Sequence, residues 1–478
     1  MSTRICLAGC LSALFCWATL GHAQEPTKEA AKFSTDAAFV RFWRLSDLVL
    51  ENHIDPPTRQ EMFLGGIRAL YGEGAPPADL SRKVSGLATE EQFAAFLKDH
   101  WPTAVAENAP PSQTAETFLR GALTRVSGQP FLMSPSVAKG VEAVAANRYV
   151  GTGIQITVNA KENLTQIVNP FANGPARKAG ARPGDLIMEV DGVSMEGIKL
   201  QEVVERIRGE EGTKVTFTVR QPGEKETRLL TMTRGPVPFD TVAGYQRMAE
   251  DRWQYRVKPD EPIAYLRLEQ VLPSTPSELR KLERVLLADG IQAVVLDLRS
   301  SAGGDVQPAA LTADELLDGG LLWRVRDAKG RVKEYRADRD CLFRGCPLAV
   351  LVDQHTRGGL EFVAAALQDN KRVVIVGEAT RGEGFVTTLM HLPDDEGAVQ
   401  LRTGRVERAA PAKGQESLAW RPVTPDHAVA MDQAKAQAVM TWQHQQQLPE
   451  PPADGVNGPP DDPQLAKALE VLRAALKK

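Results

Sequence analysis

Cysteine is scarce in this chain, with five among 478 residues. Three of them, Cys6, Cys10 and Cys16, lie near the N-terminus. A small scaffold held by several disulfides is therefore excluded. There is no CxxC pair and no HExxH, and the seven histidines are scattered, so neither a zinc centre nor any other cofactor is expected. Basic charge is not in excess: 57 Lys and Arg stand against 61 Asp and Glu, leaving a net charge of −4 and no footprint for nucleic acid. Long apolar runs are missing after the first residues, so the mature chain is not expected to span a membrane. What is present is ordinary for a globular protein, 42% hydrophobic and 25% charged. The length asks for more than one core.

Residues 1–23 read as a secretory signal. Arg4 supplies the positive end, Ile5 to Leu20 the apolar core, and Gly21-His22-Ala23 an A-x-A-like cleavage site. The apolar run is shorter than the ~20 residues of a spanning helix. Leu7-Ala8-Gly9-Cys10 spells a lipoprotein-type box, but it comes early and the apolar run continues past it. Removal of the whole segment is preferred to lipidation at Cys10. The expected location is the periplasm or the exterior. Cys341 and Cys346 remain in the mature chain, and so close a pair in an exported protein predicts a disulfide closing a surface loop, with two free thiols as the other reading.

Four helical segments are expected before residue 128: 36–54, 58–71, 89–100 and 112–127. The first carries Phe39, Phe42, Trp43, Leu45, Leu48 and Val49 on its apolar side and ends at Asp55-Pro56-Pro57. Further on, Tyr149-Val150-Gly151-Thr152-Gly153-Ile154 is a glycine loop leading into an alternating strand, Ile154, Ile156 and Val158. Arg182-Pro183-Gly184-Asp185 has turn chemistry. Leu186 to Val190 reads as a strand with a hairpin turn at Asp191-Gly192. Leu200, Val203, Val204 and Ile207 mark a helix, and Val215, Phe217 and Val219 alternate as the closing strand.

These features together resemble a PDZ domain of the bacterial protease type over 149–236. The resemblance implies that Gly151, Thr152, Gly153 and Ile154 offer backbone N–H groups to a peptide's terminal carboxylate, and that the peptide adds as a strand along Ile154 and Ile156. A PDZ fold serving as a spacer or lid is the alternative.

The rest is organised around residues 348–388. Leu348 to Val352 reads as a buried strand, Leu360, Val363, Ala364 and Leu367 as a helix, and Val373 to Val376 as the next parallel strand. The glycine-rich stretch Gly377 to Gly384 then lies at the carboxyl end of the sheet, where sites form. Glu361, the Ala365-Ala366-Leu367-Gln368-Asp369 run, Gly377, Glu378, Thr380, Gly382, Gly384 and Val386 resemble, without a gap, the motif of the C-terminal processing (tail-specific) proteases, serine peptidase family S41. Leu296-Asp297-Leu298-Arg299-Ser300-Ser301-Ala302-Gly303-Gly304 resembles the family's L-D-L-R-x-N-x-G-G, and Pro422-Val423-Thr424-Pro425-Asp426 its closing segment. Gln129 to Pro135 is read as a worn counterpart of its D-P-H-S-x-Y signature.

The implied architecture is α/β plus PDZ. A helical N-terminal region (24–148) and the PDZ domain (149–236) precede an S41-type, crotonase-like ββα core (237–430). C-terminal helices and a linker occupy 431–478. The N-terminal helices, in the family, serve in dimerisation; a cap packed on its own chain is the plainer reading. Implied partners are C-terminal tails of exported proteins or unfolded peptides.

The resemblance fails at the family's chemistry. Gly358 occupies the column of the nucleophilic serine, Glu383 that of the general-base lysine, and Thr387 that of the glutamine orienting it. Oxyanion-type backbone donors survive at Gly303, Gly304 and Gly359. With no hydroxyl and no amine, the expected protein is an S41 scaffold that binds peptides and does not cleave them. An active peptidase with a displaced nucleophile, Thr356 being the nearest hydroxyl, is the alternative. Glu361 is read as a first-turn acid facing the helix N-terminus rather than as a catalytic partner of Glu383.

Overall fold

The computed structural model describes residues 35–72, 74–104, 111–147, 150–171, 174–237, 241–248, 252–301, 303–338, 340–411, 418–446 and 459–477. The expected signal segment with Cys10, Tyr149 at the head of the glycine loop and Ala302 lie outside the described residues.

Five helices come first: α1 (Thr35–Asn52), α2 (Arg59–Leu70), α3 (Leu80–Ser85), α4 (Glu90–Ala104) and α5 (Pro111–Leu123). The turn at Asp55 to Pro57 lets α2 restart with a capping box, in which Thr58 and Glu61 satisfy each other's backbone N–H. Phe42, Phe63, Phe93 and Phe118 meet at the centre, with Phe63 and Phe93 edge to face at 5.0 Å between centroids. The same apolar cluster takes in Leu392, Val399 and Leu401 of a later sheet. The helices therefore cap their own chain, and their buried face is spent within it.

After β1 (Leu132–Met133) and α6 (Pro135–Ala145) comes the PDZ unit. It comprises β2 (Val150–Gly151), β3 (Ile154–Asn159), β4 (Leu164–Pro170), α7 (Pro175–Lys178), β5 (Leu186–Val190) and β6 (Val193–Ser194). These are followed by α8 (Leu200–Ile207), β7 (Lys214–Arg220), β8 (Arg228–Thr233) and β9 (Gly235–Pro236). The sheet runs β3-β4-β5-β7-β8, with β6 on β5, and β2 pairs β9 separately. The expected closing strand, β7, is instead internal. Arg228–Thr233 closes the sheet, and its polar-rich alternation hid it because only Leu230 and Met232 turn inward.

The core follows with β10 (Val242–Ala243), β11 (Gln246–Arg247), β12 (Trp253–Gln254), β13 (Ile263–Leu268), α9 (Thr275–Ala288), β14 (Ala293–Asp297) and α10 (Val306–Glu315). It continues through β15 (Gly320–Asp327), β16 (Val332–Ala337), β17 (Leu348–Val352), α11 (Gly359–Asp369), β18 (Val374–Gly377), β19 (Phe385–His391), β20 (Ala398–Arg408) and β21 (His427–Ala428). Strands β13, β14, β17, β18 and β21 are parallel neighbours, and β10 adds antiparallel to β13. Every residue of β13, β14 and β17 is buried, as expected of parallel strands covered on both faces. One face is covered by α9, α10 and α11. The other is covered by α12 (Gln433–Gln446) and α13 (Pro463–Leu476), which sink Trp442, Leu465, Leu469 and Leu472 against Tyr265, Val295 and Leu351. A second sheet, β1-β20-β15-β16 with β19 on β20, links the core to the helical cap.

The expected Cys341–Cys346 disulfide is not formed. Both residues are free thiols. The loop is closed instead by the Arg372 guanidinium, which donates to the carbonyls of Cys346 (3.0 Å), Phe343 (2.9 Å) and Leu316 (3.2 Å). Cys341 turns inward, its Sγ 3.2 Å from the carbonyls of Leu316 and Leu342.

Candidate functional site

Two places in the fold carry the residues singled out from the sequence. The first is the carboxyl edge of the parallel sheet, where the loops after β14 and β17 meet. Asp353 joins them. Its carboxylate accepts from the Ser300 backbone N–H (2.9 Å) and hydroxyl (3.1 Å) on one loop, and from the His355 (3.0 Å) and Thr356 (2.9 Å) N–H groups on its own. The Arg357 N–H donates across to the Ser301 carbonyl at 3.2 Å. Sequence reasoning missed Asp353, although an Asp followed three residues later by Thr ahead of a helix is a turn and capping signal.

That junction seats Gly358 as the N-cap of α11 at φ 65°, ψ −138°. Side-chain-bearing residues rarely adopt this backbone, and it is the kind of strained strand-to-helix turn on which nucleophiles are displayed. A Cβ built there would lie 3.4 Å from the Gly303 nitrogen, an ordinary contact. The turn thus has room for a side chain, and Gly358 supplies none. Gly303 and Gly304 hold φ of 106° and 88°. Gly359 fits tightly below them, since a Cβ would come within 2.8 Å of the Gly304 carbonyl oxygen. These three glycines are brought together.

Thr356 is fully buried, and its hydroxyl donates to the Leu298 carbonyl at 2.8 Å. It is a strut between the two loops. Glu361 is also buried. Its Oε1 accepts from the Thr380 hydroxyl and from the Gly382 N–H (2.6 Å), which docks the loop 380–384 onto the first turn of α11. Burial pushes its carboxyl up from the ordinary range, an effect that those hydrogen bonds only partly offset and the Glu383 charge adds to. Glu383 itself points to Arg381, Oε1 to Nε 3.2 Å. Thr387 is exposed on β19, opposite Arg402. Glu383 and Thr387 thus lie on the strand-side loop and the strand that follows it.

Behind the site, Asp297 is wholly buried. Burial alone would raise its carboxyl, but the Arg299 guanidinium outweighs that and holds it low. Tyr265 donates to it at 2.6 Å, and Arg299 bridges it to Asp462 at the start of α13 (2.7 and 2.8 Å).

The second place is the PDZ groove. Strand β3 is hydrogen-bonded only to β4 among the described strands, so its other edge is open. Gly151 pairs with Gly235, and Gly153 has φ 73°. Glycine is required at 153, because a Cβ would stand 2.8 Å from the Gly174 Cα. The Thr152 carbonyl accepts from Ala176 at the start of α7, and Thr152 is 2% exposed, so the loop is braced from beneath. Ile154 and Ile156 are half-buried against the domain core. Val158, expected to continue that alternation, is 49% exposed.

Comparison with known proteins places these features. The model of peptidase family S41 matches residues 262–429, and a PDZ-domain model matches residues 167–221. Residues 262–429 thus form an S41-type peptidase domain. The chain is 32% identical over 266 residues to the carboxyl-terminal-processing protease of Picosynechococcus sp., covering 56% of this chain and 62% of that one. It is 32% identical over 284 residues to the chloroplastic C-terminal processing peptidase of Tetradesmus obliquus, covering 58% and 60%. It is 30% identical over 293 residues to the carboxy-terminal-processing protease of Bartonella bacilliformis, covering 60% and 64%. The chain thus spans 60–64% of the length of these curated relatives. Among the described residues no helix is long and apolar enough to cross a membrane.

Proposed function

We propose that this chain is an exported peptide-binding protein that captures the C-terminal segments of other exported proteins in its PDZ groove and does not hydrolyse them. The observation that carries this reading is Gly358. It occupies the strained turn that would display a nucleophile, and the hydroxyl nearest in sequence, Thr356, is buried between the Leu298 carbonyl (2.8 Å) and the Asp353 carboxylate (3.1 Å) as acceptors. No amine stands at 383, where Glu383 is paired with Arg381. Serine–lysine hydrolysis needs both groups. The open edge of β3 beside the Gly151–Gly153 loop supports binding, because a peptide strand can hydrogen-bond there while its carboxylate meets backbone N–H groups.

The test uses the chain from residue 24 onward with unstructured peptides ending in a free carboxylate. Fluorescence anisotropy is expected to show binding that weakens when the C-terminus is amidated, and mass spectrometry is expected to show no cleavage. Cleavage that a Thr356→Ala substitution abolishes would overturn the non-catalytic reading and point to a displaced nucleophile.

A further inference from the structure

Arg234 is 6% exposed, yet among the described residues it forms no ion pair. Its guanidinium is satisfied by neutral acceptors only. Nε donates to the Ile207 carbonyl (2.8 Å) and Nη2 to the Arg206 carbonyl (3.2 Å). Nη1 donates to the Thr213 hydroxyl (3.0 Å) and the Lys214 carbonyl (3.0 Å). The first two acceptors are last-turn carbonyls of α8, which no helical N–H can reach, and a cation there also faces the negative end of the helix dipole. Gly209, just past that helix, lets the arginine approach: a Cβ at 209 would lie 2.7 Å from Nε.

The backbone of the same residue leads to the other wall of the groove. The next residue, Gly235, pairs with Gly151, and Val237 packs on Gly153. One wall is helix α8, whose Val203 and Ile207 belong to the apolar cluster on which Ile154 and Ile156 of β3 pack, and whose last turn is held by the Arg234 side chain. The other is the carboxylate loop, held by the three residues that follow it. A peptide bound by its C-terminus touches both walls at once, its side chains toward α8 and its carboxylate in the loop. The spacing between the two is therefore set through Arg234.

We infer that Arg234 is the positioning residue that fixes α8 against the carboxylate loop, so that the preference of the groove for a free C-terminus depends on it. This inference rests on the peptide-binding reading above. An ammonium at 234 cannot span four acceptors in two directions. Loss of register weakens the contacts of a free-acid peptide, which must satisfy both walls, more than those of an amidated peptide held by strand pairing.

The measurement is the ratio of dissociation constants for amidated and free-acid forms of one peptide. It is taken on the whole mature chain, well below the unfolding temperature of each variant. Arg234→Lys is expected to bring the ratio down by about tenfold, the effect of losing one to two hydrogen bonds' worth of alignment. Gly209→Ala keeps the arginine but displaces its guanidinium, and is expected to act in the same direction should Arg234→Lys fail to fold. A purely structural role would lower the melting temperature and leave the ratio unchanged, and that result in a folded variant overturns the inference. A wild-type ratio near one overturns the groove reading and this inference with it. A wild-type preference that survives in both variants overturns the inference alone.

Discussion

Substitution of Gly358 by alanine gives a test whose sign, not only its size, is diagnostic. At an ordinary backbone conformation, Gly→Ala stabilises by about 0.4–1 kcal/mol, because the unfolded chain loses freedom. At φ 65°, ψ −138° the new Cβ is strained by roughly 1–3 kcal/mol. Steric collision adds little, since the nearest atom is the Gly303 nitrogen at 3.4 Å. Less the roughly 0.4–1 kcal/mol gained through the unfolded chain, a net destabilisation of up to about 2.5 kcal/mol is therefore expected for Gly358→Ala, and a similar value for Gly358→Ser. Urea unfolding followed by tryptophan fluorescence reads this as a lower midpoint with an unchanged slope. A raised midpoint for Gly358→Ala, the sign of an unstrained site, would refute the strained-turn geometry, and with it the idea that the nucleophile's seat survives without its hydroxyl. The serine variant alone is expected to stay inert toward serine-directed phosphonate probes, because Glu383 cannot act as the missing amine. Labelling is expected only when Glu383→Lys is added.

Three further expectations follow from the same loops. The buried Glu361 carboxyl is raised above its ordinary value of 4.5, so the folded state binds the proton more tightly than the unfolded one and stability falls as pH rises above about 4.5. Glu361→Gln keeps an oxygen for Thr380 and Gly382, and should flatten that part of the stability–pH curve in denaturation series; an unchanged slope would show that another group governs it. Thr356→Val leaves the Leu298 carbonyl without its donor and is expected to cost about 1–3 kcal/mol by urea unfolding, with no change in peptide binding. Arg299→Met strands Asp297 and Asp462 in buried surroundings, at a cost of about 3–5 kcal/mol. Limited proteolysis should then cut ahead of α13, and resistance equal to wild type would show that the ion pairs do not hold that helix.

What the sequence by itself determined is carried by local patterns. Alternation located β3, helical spacing α8 and α11, and short apolar runs β5 and β17, because each of these patterns is a property of a single element. The glycine positions at 153, 303, 304 and 358 were equally legible, since each holds a positive φ that other residues resist, whereas Gly151 lies in strand β2. Residue identity at 358 and 383 was the ground for proposing that the serine–lysine chemistry of the scaffold is absent. The tertiary structure decided what depends on distant partners. It showed β7 as an internal strand with β8 outside it, because an edge strand can be nearly polar and still pair. It replaced the Cys341–Cys346 bridge by Arg372, because sulfur proximity in sequence says nothing of where each side chain turns. It buried the hydroxyl of Thr356 and the carboxyl of Glu361, and gave Arg234 and Asp353 their roles, because hydrogen bonds between loops far apart in the chain leave no periodic trace in it.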